Sequence, residues 1–170
     1  MAEIKDNPNL IPKRNMAVIA STGSKLRPLV SEIFTKVNNA KDKPKKIAVL
    51  QQYDSRNLRM LLKGAFDSNV TWDLPAGLPP YKKNDAPVGT EHTYLLDEAK
   101  KLWHFVTGGN PGLSKTRKES MFIQLLENLH GDESEVMVNI KDKKLNSIYK
   151  GLTANLVKEA FGWNDNFNKN

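Results

Sequence analysis

Apolar residues along this chain recur mostly at steps of three and four, the spacing of helices that bury one face. Leu29, Ile33 and Val37 fall at steps of four beside Val30 and Phe34, and predict a first helix beginning near Leu26 with Pro28 in its first turn. A second follows in "KDKPKKIAVLQQYD", with Asp42 as N-cap and Pro44 in its first turn. Asp54 or Ser55 caps a third, in which Leu58, Leu61, Leu62, Ala65 and Phe66 share a stripe. "EHTYLLDEAKKLWHFVTGG" lines up Leu95, Leu96, Ala99, Leu102, Trp103 and Val106, with Gly108 and Gly109 as a left-handed stop. "SKTRKESMFIQLLENLHG" repeats the pattern and ends at Gly131, "DESEVMVNIKDKKL" starts acidic and ends basic as a helix dipole favours, and "LTANLVKEAFGW" has Thr153 as its cap.

These segments predict an all-α fold: a compact bundle of about six to seven short helices joined by short loops. Residues 26–163 form one helical domain, preceded by an extended N-terminal arm at 1–25 and followed by a polar tail at 164–170. "MAVIAST", Met16 to Thr22, reads equally as a strand or as an arm packed on the body. Leu61, Leu62, Phe66, Leu96, Trp103, Phe122, Leu125, Leu126, Leu156 and Phe161 are expected to share one core.

One stretch breaks the helical pattern. In 71–92, Pro75, Pro79, Pro80 and Pro87 forbid a helix, and Trp72, Leu74, Leu78 and Tyr81 are too apolar for a disordered spacer. The expectation is an ordered crossing loop whose aromatic residues pack over the helices. The alternative is a docking surface for a protein partner, made by Trp72, Leu78 and Tyr81 with Lys82 and Lys83 at its rim.

Composition narrows the function classes. The chain has 170 residues and no cysteine, which excludes disulfide scaffolds and Cys-based zinc or redox motifs. No apolar run is long enough for a membrane span, and the first fifteen residues do not read as a signal peptide, so the expected location is a cytosol. The net charge of +7 favours a polyanionic partner.

Catalytic patterns are weak. "GNPGLSKT", Gly109 to Thr116, approaches the phosphate-binding loop, but Ser114 replaces its last glycine and a helical pattern, not a strand, precedes it. His92, His104 and His130 lack metal-ligand spacing, no serine sits in a nucleophile elbow, and no cofactor is implied. The chain reads as a non-enzyme. Its chemistry lies in cations: Lys115, Arg117 and Lys118 at a helix start, and Lys141, Lys143, Lys144 and Lys150 at a helix end and loop. Cations at a helix N-terminus oppose its dipole, so this group is read as a backbone-type nucleic-acid contact. The acidic start of the next helix, Asp132, Glu133 and Glu135, argues against groove reading by a helix-turn-helix.

"LLKGAF" at 61–66, the "LPAGLPPYK" loop, "QLLENLH", and "KDKKL…YKGLT…LVKEAF" together resemble a family of uncharacterised proteins of T4-like tailed phages, including cyanophages. The resemblance implies a phage-encoded protein and carries no assigned activity. The reading that fits is an accessory protein acting in the host cytoplasm on nucleic acid or on replication and transcription machinery. The alternatives are a virion component (head, neck or tail-associated) and, third, an enzyme whose site assembles only in three dimensions.

Overall fold

In the computed structural model, residues 27–88, 90 and 92–163 are described; the N-terminal arm, the "MAVIAST" run and the polar tail lie outside them. Local start signals set the helix boundaries. α1 (Val30–Asn39) buries Val30, Ile33, Phe34 and Val37, and the Glu32 carboxylate accepts the Leu29 N–H at 2.7 Å. It starts later than the spacing predicts, with Leu29 as its extended N-cap and Pro28 ahead of the first turn. Asp42 caps α2 (Lys43–Gln52) by accepting the Lys45 N–H at 3.0 Å. Of the two candidates for α3 (Arg56–Phe66), Ser55 is the cap, accepting from Leu58 N–H at 3.1 Å. Ser55→Ala is expected to lower stability by about 1 kcal/mol, checked by urea unfolding.

The remaining elements are α4 (Leu95–Glu98), a 3-10 segment (Ala99–Phe105), α5 (Lys115–Asn128), α6 (Gly131–Lys141), α7 (Leu145–Ile148) and α8 (Ala154–Phe161). The fold is all-α: the described residues contain no extended sheet, only isolated bridges. α6 packs against α1, α3 and α5, while α2 lies between α1 and α8. Leu50, Leu58, Leu61, Leu62, Phe122, Leu126, Met137 and Ile140 are all but completely enclosed in this core. Of the predicted core residues, Leu125, Leu156 and Phe161 are also buried, and Phe66 and Leu96 pack against the core from its edge.

Trp103 is the departure. It is 48% exposed, and Phe105 takes the buried place. The single predicted helix becomes one α-turn followed by the tighter 3-10 winding, which repeats every three residues. Ala99, Leu102 and Phe105 therefore share the inner face, and Trp103 rotates outward. α5 also stops before Leu129; Gly131, read as its terminator, instead opens α6, which His130 caps by accepting the Asp132 N–H at Nδ1, 3.2 Å away. α7 has no counterpart among the predicted helices.

Lysines terminate helices as well as cover them. The Lys46 ammonium donates to the carbonyls of Val37, Asn38 and Ala40 at 2.7–3.1 Å, closing the end of α1. No helix among the described residues is long and apolar enough to cross a membrane.

Candidate functional site

Between α3 and α4 the described residues from Asp67 to Tyr94 contain no helix and form a strap over α5 and α6. Its first anchor is Trp72. The indole N–H donates to the Gly64 carbonyl at 3.0 Å, and the ring lies so close to Gly64 that a β-carbon there would sit 2.8 Å from it. Glycine is needed on α3 to seat the tryptophan. Next to it, Asp73 N–H donates to the Phe105 carbonyl and Thr107 N–H to the Thr71 carbonyl, both at 2.7 Å, as a short antiparallel bridge.

The basic residues predicted to hold nucleic acid meet this strap and separate into different roles. Lys118 is buried, and its ammonium binds the Asp73 carboxylate at 2.7 Å. That hydrogen bond holds the Asp73 carboxyl below the usual aspartate value, against the desolvation that raises it. Lys115 lies 3.8 Å from the same carboxylate with its side chain 81% exposed. The basic start of α5 is thus compensated by an aspartate from the strap, a partner the local sequence does not show.

Lys141 is likewise enclosed. Its ammonium donates to the carbonyls of Pro75 at 2.8 Å and Gly77 at 3.0 Å and pairs with Asp142, whose carboxylate accepts the Gly77 N–H at 3.1 Å. Lys143 donates to the Asp67 carbonyl at 2.7 Å, at the end of α3, and desolvation lowers its pKa. Lys118 and Lys141 are therefore strap clamps, closed to a phosphate by burial and by their own partners. Arg117, Lys144 and Lys150 stay exposed. Lys150 stands apart, because Gly151 N–H donates to Asn38 Oδ1 at 2.7 Å and places it at the α1–α2 corner.

Of the residues read as a partner surface, Trp72 and Tyr81 turn inward. The Tyr81 hydroxyl is 3.1 Å from Ser134 Oγ. Lys82 and Lys83 are exposed, with Lys82 N–H donating to Glu127 at 2.9 Å and the Lys83 stem lying over Gly131. Leu78, at the strap's turn, is 75% exposed. It edges a pocket of about 170 Å³ between the strap and α5, lined also by Pro79, Phe122 and Ile123 and by the charged Glu119 and Lys141.

Two features were not legible as chemistry in the sequence. Glu133 is buried at the start of α6, where one carboxylate oxygen accepts Val30 N–H at 2.7 Å and the other Leu95 N–H at 3.0 Å. It caps two other helices at once. His92 packs edge-on to His130 with ring centroids 5.2 Å apart, and both of its ring nitrogens are enclosed with no hydrogen-bond partner among the described residues. Among the described residues no group of three or more His, Asp or Glu is placed to hold a metal ion.

Helical architecture, a clamped proline strap and a basic exterior define an all-α protein whose enclosed cations hold the strap in place. The chain belongs to a family of unknown function, DUF6433, which it matches over residues 33–147, from α1 to α7 and through the whole strap. No curated protein and no solved structure matches it.

Proposed function

We propose that this is a non-enzymatic accessory protein of a T4-like tailed phage, acting in the infected cell by binding the nucleic-acid backbone with little sequence preference. The observation that carries this reading is that Arg117 and Lys144, and Lys150 at its separate corner, stand exposed with no ion pair among the described residues, with an exposed Lys115 two positions before Arg117, on a chain of net charge +7. Cations left unpaired in solvent are available to displace counterions from a polyphosphate. The non-enzymatic reading is supported by Glu133, Lys118 and Lys141, whose charged atoms are committed to helix ends and strap clamps.

Binding should weaken linearly in log–log form with added salt, and a Lys115/Arg117/Lys144/Lys150→Ala variant should show a slope shallower by about 0.9 for each phosphate contact it loses on duplex DNA. Mobility-shift titration over a salt series measures this. Salt-insensitive binding, or none, by the unaltered protein defeats the reading.

A virion component is the second reading, and the exposed Leu78 on a clamped turn is the observation that favours it. A rigid apolar tip suits docking into a neighbouring subunit. Mass spectrometry of purified virions discriminates: peptides of this chain at structural stoichiometry would select this reading over the first.

A further inference from the structure

Trp103 is a large apolar side chain that the fold holds in solvent. Its backbone is fixed on both sides: Ala99, Leu102 and Phe105 anchor the inner face of the 3-10 segment, and Gly109 packs directly on the Trp103 carbonyl, where no β-carbon fits. The indole lies against the His104 ring, with centroids 3.9 Å apart and planes tilted by 31°. His104 is itself tethered, its Nδ1 3.0 Å from the Asn110 side-chain amide nitrogen. The result is a braced aromatic face at 48% exposure.

Cations flank it. Three-residue winding puts Lys100 in line with Trp103 on the outer face, where it is exposed, in no salt bridge among the described residues, and feels the Asp97 carboxylate only at longer range. The loop that folds back onto Trp103 leads through Ser114 into exposed Lys115 and Arg117. The neighbouring acids are engaged, Glu98 with Lys101 at 3.3 Å and Asp97 with Arg27 at 2.7 Å.

We infer that Trp103 is a stacking platform for an unpaired base, so that the ligand is single-stranded nucleic acid held by Trp103 with Lys100, Lys115 and Arg117 on its backbone. This rests on the nucleic-acid reading above and narrows it. In a duplex the π-faces are already stacked on one another, whereas a single strand offers them to an aromatic side chain, and any base can use the site.

The test uses the full chain, with labelled oligo(dT), oligo(U) and a DNA duplex of equal length. The unaltered protein should bind single strands more tightly than duplex, with quenching of tryptophan fluorescence, since Trp72 and Trp163 are more enclosed. The oligo(dT) and oligo(U) arms show whether the strand is DNA or RNA. Trp103→Ala should weaken single-strand binding about 5- to 150-fold while leaving duplex binding and the melting temperature unchanged, and Trp103→Phe should restore most of it. Equal binding of single strand and duplex, with Trp103→Ala indistinguishable from the parent, overturns the platform and leaves the electrostatic reading standing. Loss of self-association in Trp103→Ala with unchanged nucleic-acid binding also overturns it, by making the face a protein contact. Failure of the unaltered protein to bind any of the probes removes both readings.

Discussion

Glu133→Ala is expected to destabilise the protein by about 2–6 kcal/mol, a large part of the total stability of a domain this size. The carboxylate is the acceptor for Val30 N–H and Leu95 N–H, at the starts of α1 and α4. Alanine leaves two buried donors orphaned, each costing about 1–3 kcal/mol, and water does not readily replace the lost oxygens at a residue 1% exposed. The loss should appear in urea unfolding as a lower midpoint. An unchanged midpoint would show that the two helix starts find other acceptors.

The same residue carries a pH signature. Desolvation raises the Glu133 carboxyl above the ordinary glutamate value, against the two backbone N–H bonds that lower it. The native state thus holds this proton more tightly than the unfolded chain. Its contribution to stability is fullest below the ordinary glutamate pKa and is lost as pH rises through the raised value. Glu133→Gln removes the titration, at a fixed penalty because an amide offers only one acceptor to two donors. The stability difference between parent and Gln variant should therefore move in the parent's favour as pH falls from about 7 to about 4. Asp73 and Asp97, held below the usual aspartate range by Lys118 and Arg27, act in the opposite sense in both proteins and cancel from the difference.

What the sequence reveals here is what depends on near neighbours. Asp42, Ser55 and Thr153 cap their helices through N–H groups three residues away, so the signal and its partner sit in one window. Hydrophobic spacing locates α1, α3, α5 and α8 for the same reason. Trp103 was misplaced because the helix pattern assumes 100° per residue, and a 3-10 turn of 120° exchanges its face with that of Phe105. Lys118 and Lys141 depart from the expectation for a different reason, being enclosed by the fold. Lys118 finds Asp73 45 positions earlier, Lys141 finds Pro75 66 positions earlier, and Glu133 reaches Val30 across 103. A cation at a helix start is locally unfavourable, and only the strap, brought over by tertiary packing, supplies the compensating acid. The anomaly was visible in the sequence; its partner was not. What the local conflict signalled at Lys118 was a long-range structural bond, and the cations left for a ligand are those that the fold does not enclose.

The strap's dependence on those bonds is greatest at Lys141. Its side chain is 2% exposed, and its three partners are two strap carbonyls and the Asp142 carboxylate, itself 11% exposed. Lys141→Met fills similar space but leaves Asp142 charged without its cation and two carbonyls without a donor. The expected cost is about 3–5 kcal/mol, the range for breaking a buried ion pair from one side. Replacing both members, as Lys141→Met/Asp142→Asn, should recover part of that loss, because the uncompensated charge is gone while the amide oxygen can still accept the Gly77 N–H. Hydrogen exchange locates the effect: the Gly77 amide should lose protection in the single variant well before the amides of α3 and α6 do, since releasing the clamp frees the turn around Leu78 while Trp72 on Gly64 still holds the strap's first anchor. If Gly77 exchanges at an unchanged rate and the midpoint does not move, the Lys141 clamp contributes nothing and the strap is held by its other anchors, Trp72, Tyr81, the Lys118–Asp73 pair and the backbone bridges.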